Sequence, residues 1–138
     1  MSVLERASPE TMKTLRAFRT SLTAYAERRG DRVEVRYNLG WVSFRSAASN
    51  RAFAEVRPGK KGIELFLLPP RAALRDEHGL ATPAPPSRGW GWFRTRIKVE
   101  NGLSPEWATD LLRQSYEYAR RMPTRGEKKA TRGRRPRA

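Results

Sequence analysis

The chain has 138 residues, enough for one domain and too few for two persistent cores. Hydrophobic residues make up 38% and charged ones 31%, and 29 Lys plus Arg against 14 Asp plus Glu give a formal charge of +15, a field that attracts polyanions such as nucleic acid or an anionic membrane surface. The absence of cysteine excludes disulfides, thiolate metal sites and cysteine nucleophiles and points to a cytoplasmic location. Neither a signal peptide over Met1 to Glu10 nor a run of roughly 18 uncharged apolar residues is present, so secretion and a membrane span are not expected.

Ser8-Pro9-Glu10 reads as a helix start, with a capping hydroxyl, a proline of preset φ and a carboxylate at the positive end of the helix dipole. Met12, Leu15, Phe18, Leu22 and Tyr25 then form one apolar stripe, and Gly30 stops a helix predicted to reach about Arg29. From Val33 the period becomes two. Val33 to Tyr37 and Trp41 to Arg45 are predicted to pair across Asn38-Leu39-Gly40, Ala52 to Arg57 makes a third strand, and Ile63 to Leu68 a fourth beyond the turn Pro58-Gly59-Lys60-Lys61-Gly62.

Pro69 to Ser87 holds five of the ten prolines and is predicted to be a long loop. Trp92 to Val99 restores alternation as a fifth strand, and Ser104-Pro105-Glu106 repeats the helix-start pattern. The second helix places Trp107, Leu111, Leu112, Ser115, Tyr118 and Ala119 on its packing face and ends near Met122. Beyond Pro123, seven basic residues, one acid and no large apolar side chain predict a disordered tail, since nothing there offsets the entropy of ordering. The expected fold class is α+β: a flexible stretch over 1–7, then a single domain over 8–122, and a disordered basic tail over 123–138. The domain is an N-terminal helix, a five-stranded mostly antiparallel meander and a C-terminal helix, with both helices on one sheet face.

Three separated pieces occur in order: Arg51-Ala52-Phe53-Ala54-Glu55-Val56-Arg57-Pro58-Gly59-Lys60-Lys61-Gly62-Ile63-Glu64-Leu65-Phe66-Leu67, then Arg88-Gly89-Trp90-Gly91, then Leu111-Leu112-Arg113-Gln114-Ser115-Tyr116-Glu117. Together, over about Arg36 to Ala119, the chain resembles the domain-of-unknown-function family numbered 5655. The resemblance implies a compact α+β domain, found alone or appended to larger proteins that include restriction-related ones, with no established reaction or ligand. The family pattern has a histidine before the tryptophan where Gly89 stands here.

No catalytic constellation is recognisable, and the chain is expected to be non-enzymatic, without metal or cofactor. His78 is the one histidine, too few for a metal site or an oriented Ser-His-Asp relay, and Asp76-Glu77-His78 reads as solvated loop. None of Glu55, Glu64 and Glu100 has a lysine two residues later, as a nuclease core needs, and a phosphate-cradling glycine loop with a terminal Lys-Ser/Thr is missing.

The pleat of the last strand sends Trp92, Arg94, Arg96 and Lys98 away from the helices if Phe93, Ile97 and Val99 face them. The same alternation puts Trp41, Arg45, Phe53, Arg57 and Phe66 on that cationic side. Rings interleaved with arginine suit single-stranded nucleic acid; the plainer reading is cross-strand packing in which Arg stems cover the rings. In Arg88-Gly89-Trp90-Gly91-Trp92 the glycines either open a close approach for a ligand or tuck both indoles into the core. The tail Arg132-Gly133-Arg134-Arg135-Pro136-Arg137 resembles a minor-groove hook broken by an extra arginine, and otherwise reads as a polyanion tether or a solubility tail.

The sequence reading is a nucleic-acid-associated binding module, with nucleic acid or another polyanion as partner. Lys60, Lys61, Arg88, Trp92, Arg94, Arg96, Lys98, Arg132, Arg134, Arg135 and Arg137 are its candidate contacts. The alternative is a protein-interaction or small-ligand domain with a groove near Trp41, Phe66 and Trp90 beside the proline segment.

Overall fold

In the computed structural model of the chain, residues 7–84, 93–100 and 106–122 are described. The Ser8 hydroxyl accepts a hydrogen bond from the Thr11 N–H at 3.1 Å and Pro9 opens the first turn of α1, Pro9–Arg28. At the other end Gly30 adopts φ +72, its N–H reaches the Glu27 carbonyl at 3.1 Å, and the Asp31 N–H reaches the Ala26 carbonyl at 2.9 Å. This is a Schellman stop, and a side chain at Gly30 would strain it. The stripe buried by α1 is Thr11, Leu15, Phe18, Leu22 and Ala26, with the expected Met12 and Tyr25 at its margins.

Among the described residues the sheet has six strands where five were expected: β1 (Val33–Tyr37), β2 (Val42–Ser46), β3 (Arg51–Pro58), β4 (Gly62–Leu67), β5 (Thr82–Pro83) and β6 (Thr95–Glu100). All pairs are antiparallel in the order β1-β2-β3-β4-β6-β5. The predicted loop is therefore not irregular throughout. Arg71–Ala73 is a 3-10 turn, and Thr82–Pro83 adds a short edge strand beside β6, where proline is tolerated because an edge N–H has no ladder partner to lose.

One sheet face carries Val42, Phe44, Ala54, Val56, Ile63, Leu65, Ile97 and Val99, matched across the strands by register and each buried. α2 (Glu106–Arg121) lies on this face against β3, and α1 packs beside it, the Tyr25 and Tyr116 rings meeting edge to face at 5.8 Å. Both helices thus cover one side. A register shift between Phe44 and Arg45 overturns one expectation: Ala54 faces Phe44 and Ala52 faces Arg45, leaving Phe53 as the extra residue of a bulge. Its ring turns to the helices, 5.4 Å from Tyr116, instead of joining the cationic face.

Among the described residues α2 buries Ala108, Thr109, Leu111, Leu112, Ser115, Tyr116 and Ala119, so its broad packing face centres on Tyr116, which the expected face left out, while Trp107 and Tyr118 sit at its margins. The start expected at Ser104-Pro105, the loop from Arg88 to Trp92, and the tail over 123–138 lie outside the described residues.

Candidate functional site

The sheet face turned away from the helices is fixed by register. Glu34 lies opposite Arg45, Arg36 opposite Ser43, Ser43 opposite Glu55, Arg57 opposite Glu64, Phe66 opposite Arg96, and Glu64 also opposite Lys98. Acids and bases are interleaved here. Arg57 Nη2 is 3.7 Å from Glu55 Oε2, and Arg96 Nη1 is 3.5 Å from Glu64 Oε2. The Arg57 guanidinium stands 5.4 Å over the Phe66 ring, which is 1% exposed, and Glu55 is 3% exposed. The centre of the face is therefore closed, and Phe66 offers no ring for a base to stack on.

The rim differs. Arg94 and Lys98 are exposed while Phe93, Thr95, Ile97 and Val99 are buried, the alternation expected of this segment. The Gly59 N–H bonds the Gly62 carbonyl at 2.8 Å, closing the β3–β4 hairpin with Lys60 and Lys61 exposed at its tip. Among the described residues Arg36, Lys61, Arg94 and Lys98 have no carboxylate within ion-pair distance. Of the sequence candidates, Lys60, Lys61, Arg94, Arg96 and Lys98 lie on this face or its rim, Arg96 already committed to Glu64. Arg88, Trp90, Trp92, Arg132, Arg134, Arg135 and Arg137 lie outside the described residues.

A cavity of about 670 Å³ opens at the β5 and β6 edge, lined by Pro70, Leu74, Asp76, Ala81, Pro83 and Arg94 among others. It is built from the proline segment, and half-buried Trp41 and buried Phe66, which the alternative reading placed at its groove with Trp90, do not line it. Asp76 Oδ2 accepts from the Ala81 N–H at 2.7 Å, pinning the loop, and its Oδ1 is buried without a hydrogen-bond partner. The His78 ring packs on Trp107 at 5.8 Å, and among the described residues no three His, Cys, Asp or Glu side chains converge as metal ligands would.

Among the described residues a dense polar cluster forms that the sequence did not announce. Buried Asp31 accepts from Ser46 Oγ at 2.5 Å, from Tyr116 Oη at 2.8 Å, from the Ala48 N–H at 2.8 Å and from the Arg32 N–H at 2.6 Å, with Arg120 Nη1 at 3.3 Å. Burial by itself would raise its pKa, but the bonds from Ser46, Ala48, Tyr116 and Arg32 outweigh it and hold the carboxyl down at about 2. Burial, then the bond to Asp31, pushes the Tyr116 hydroxyl well above the ordinary tyrosine range. A carboxylate so firmly ionised is a poor general base near neutral pH, and Ser46 beside it is fully buried, so the pair is a structural tie and not a nucleophile with its base.

The α2 motif from Arg113 to Glu117 is structural in the same way. Arg113 Nη2 donates to Ser21 Oγ at 2.7 Å, and Gln114 clasps the Arg75 backbone by its Oε1 at 2.8 Å and its Nε2 at 3.0 Å. Ser115 Oγ donates to the Phe53 carbonyl at 2.5 Å and accepts from the Leu68 N–H at 3.1 Å. Tyr116 reaches Asp31, and Glu117 takes the Tyr25 hydroxyl at 2.6 Å and Arg29 at 2.9 Å. Successive residues point about 100° apart around a helix, so α2 needs a different partner in each direction, and α1, the sheet and the 68–75 segment supply them. These residues hold the fold together.

No protein-family model matches the chain, and no curated protein or solved structure matches it either.

Proposed function

We propose that this chain is a non-enzymatic, nucleic-acid-associated binding module that contacts the phosphate backbone. The observation that carries the reading is the exposed set Arg36, Lys61, Arg94 and Lys98, without ion-paired acids among the described residues, on a chain of formal charge +15. The closed centre of the face directs the reading toward charge and away from base stacking on the sheet, and the tail arginines Arg132, Arg134, Arg135 and Arg137 extend the cationic reach. Membership of the family numbered 5655 is proposed alongside, on the three sequence segments that resemble it.

The test is a salt titration of the full-length protein on single- and double-stranded oligonucleotides. Binding should weaken steeply with salt, and Arg94→Gln with Lys98→Gln should flatten the log–log slope by roughly 0.7–0.9 for each phosphate that is no longer neutralised. Replacing the four tail arginines by Gln should flatten it further. Negligible binding at low ionic strength, or a slope indifferent to all these changes, would overturn the proposal. A second reading rests on the cavity: its apolar Pro70, Leu74, Ala81 and Pro83 beside Arg94 and a buried unpaired Asp76 Oδ1 suit a small ligand with one hydrogen-bond donor.

A further inference from the structure

The sheet ends on one side at β5, two residues long, and on the other at β1, five residues long. Among the described residues β1 is a free edge of defined polarity. The Asn38 N–H bonds the Trp41 carbonyl at 2.8 Å, and the Ala47 N–H bonds the Arg32 carbonyl at 2.9 Å. These two bonds fix the ladder parity: even-numbered residues from Arg32 to Asn38 exchange hydrogen bonds with β2, and Val33, Val35 and Tyr37 turn their N–H and C=O groups outward. On the helix side Val33 and Val35 are half-buried and Tyr37 is 43% exposed, so the apolar row is incompletely covered. On the other side stand Glu34 and Arg36.

We infer that the outer edge of β1 pairs with β1 of a second copy of this chain, antiparallel about a two-fold axis at Val35. Outward groups then meet outward groups, Val35 against Val35 and Val33 against Tyr37, completing about six main-chain hydrogen bonds. Charge selects this register. With Val35 on the axis, Glu34 faces Arg36 of the other copy in both crossings. A slip of two residues one way sets Glu34 against Glu34 and Arg32 against Arg36; a slip the other way sets Arg36 against Arg36. Edge strands commonly carry charge to repel a second strand, whereas this arrangement is self-complementary where the registers two residues to either side are not. Glu34 now pairs with Arg32 at 3.1 Å, whose side chain is 75% exposed, and an ion pair that open to water is readily exchanged. The two sheets would become one, with both helix layers on the same side.

The inference shares Arg36 with the nucleic-acid reading but needs no nucleic acid, and is tested by sedimentation velocity on the full-length protein alone at physiological ionic strength. The wild type should dimerise. Glu34→Arg and Arg36→Glu should each weaken association by roughly tenfold or more, as two attractive crossings turn repulsive. An equimolar mixture of the two variants should recover a heterodimer, because positions 34 and 36 then carry opposite charges at both crossings, and the double reversal should recover a homodimer. Val35→Pro removes an outward N–H without touching the β2 ladder, and should give a folded monomer by circular dichroism. A wild type that stays monomeric, a dimer indifferent to the single reversals, or a mixture that fails to associate would each overturn the inference.

Discussion

Replacing Asp31 by Asn tests whether the buried carboxylate is the tie between the end of α1, the end of β2 and α2. The substitution keeps shape and removes charge. The amide oxygen can still accept from the Ala48 and Arg32 N–H groups, but the amide nitrogen then faces Arg120, also a donor, and the Ser46 and Tyr116 hydroxyls lose a charged acceptor. Breaking a buried ion pair on one side costs roughly 3–5 kcal/mol; Arg120 retains some exposure, so about 3 kcal/mol at neutral pH is the expectation. The pH dependence is a second readout. The Asp31 pKa falls from 3.8 to about 2 on folding, so the carboxylate contributes stability that is fully present above about pH 4 and is lost as pH falls through about 2. At 1.36 kcal/mol per unit this amounts to roughly 2–2.5 kcal/mol. Urea unfolding of wild type and Asp31→Asn at several pH values from neutrality to the acid limit measures both quantities. Equal stabilities at pH 7, or a wild-type advantage undiminished at pH 2, would refute the account.

Ser115→Ala should destabilise by roughly 2 kcal/mol, because the Phe53 carbonyl and the Leu68 N–H lose their one shared partner in a buried site. Urea denaturation reads this directly. Gly62→Ala should cost roughly 1–3 kcal/mol, since a Cβ there would lie 2.2 Å from the Val99 carbonyl oxygen, a backbone atom that cannot swing aside. Thermal unfolding of Gly62→Ala beside Gly59→Ala, whose Cβ would stand 3.6 Å from its nearest neighbour, separates close approach from general loss of glycine.

What the sequence made legible was local. The Ser8-Pro9 cap, the period change at Val33 and the alternation over Phe93 to Val99 each follow from neighbours a few residues away, and each stands in the structure near its expected place. Failures came where distant residues decide. Phe53 obeys its alternation until a bulge, placed by the pairing of β2 with β3 and bound by Ser115 from α2, turns it to the core. Thr82–Pro83 has no strand signal of its own and becomes β5 because β6 offers an open edge. Asp31, sitting after a glycine helix stop, reads as an ordinary turn acid; its partners Ser46, Tyr116 and Arg120 come from two other elements, and no spacing along the chain encodes their convergence.

The internal pairing also decides where a polyanion could lie in the proposed reading. Carboxylates from Asp31, Glu55, Glu64 and Glu117 are each held against an arginine, and the guanidiniums they occupy include half-buried Arg120, Arg57 and Arg96. Those pairs cancel in the near field. A phosphate approaching the sheet would meet neutralised charge at the centre and uncompensated charge at the rim, from Arg94 just before β6, Lys98 on it and Lys61 at the hairpin tip to Arg36 on β1. Counterion release follows the number of phosphates neutralised and not the formal charge carried. A salt slope set by a few rim residues and the tail is therefore the quantity that connects this charge pattern to binding, and a slope that fell as much on Arg57→Gln or Arg96→Gln as on Lys98→Gln would mean that the internal pairs had opened.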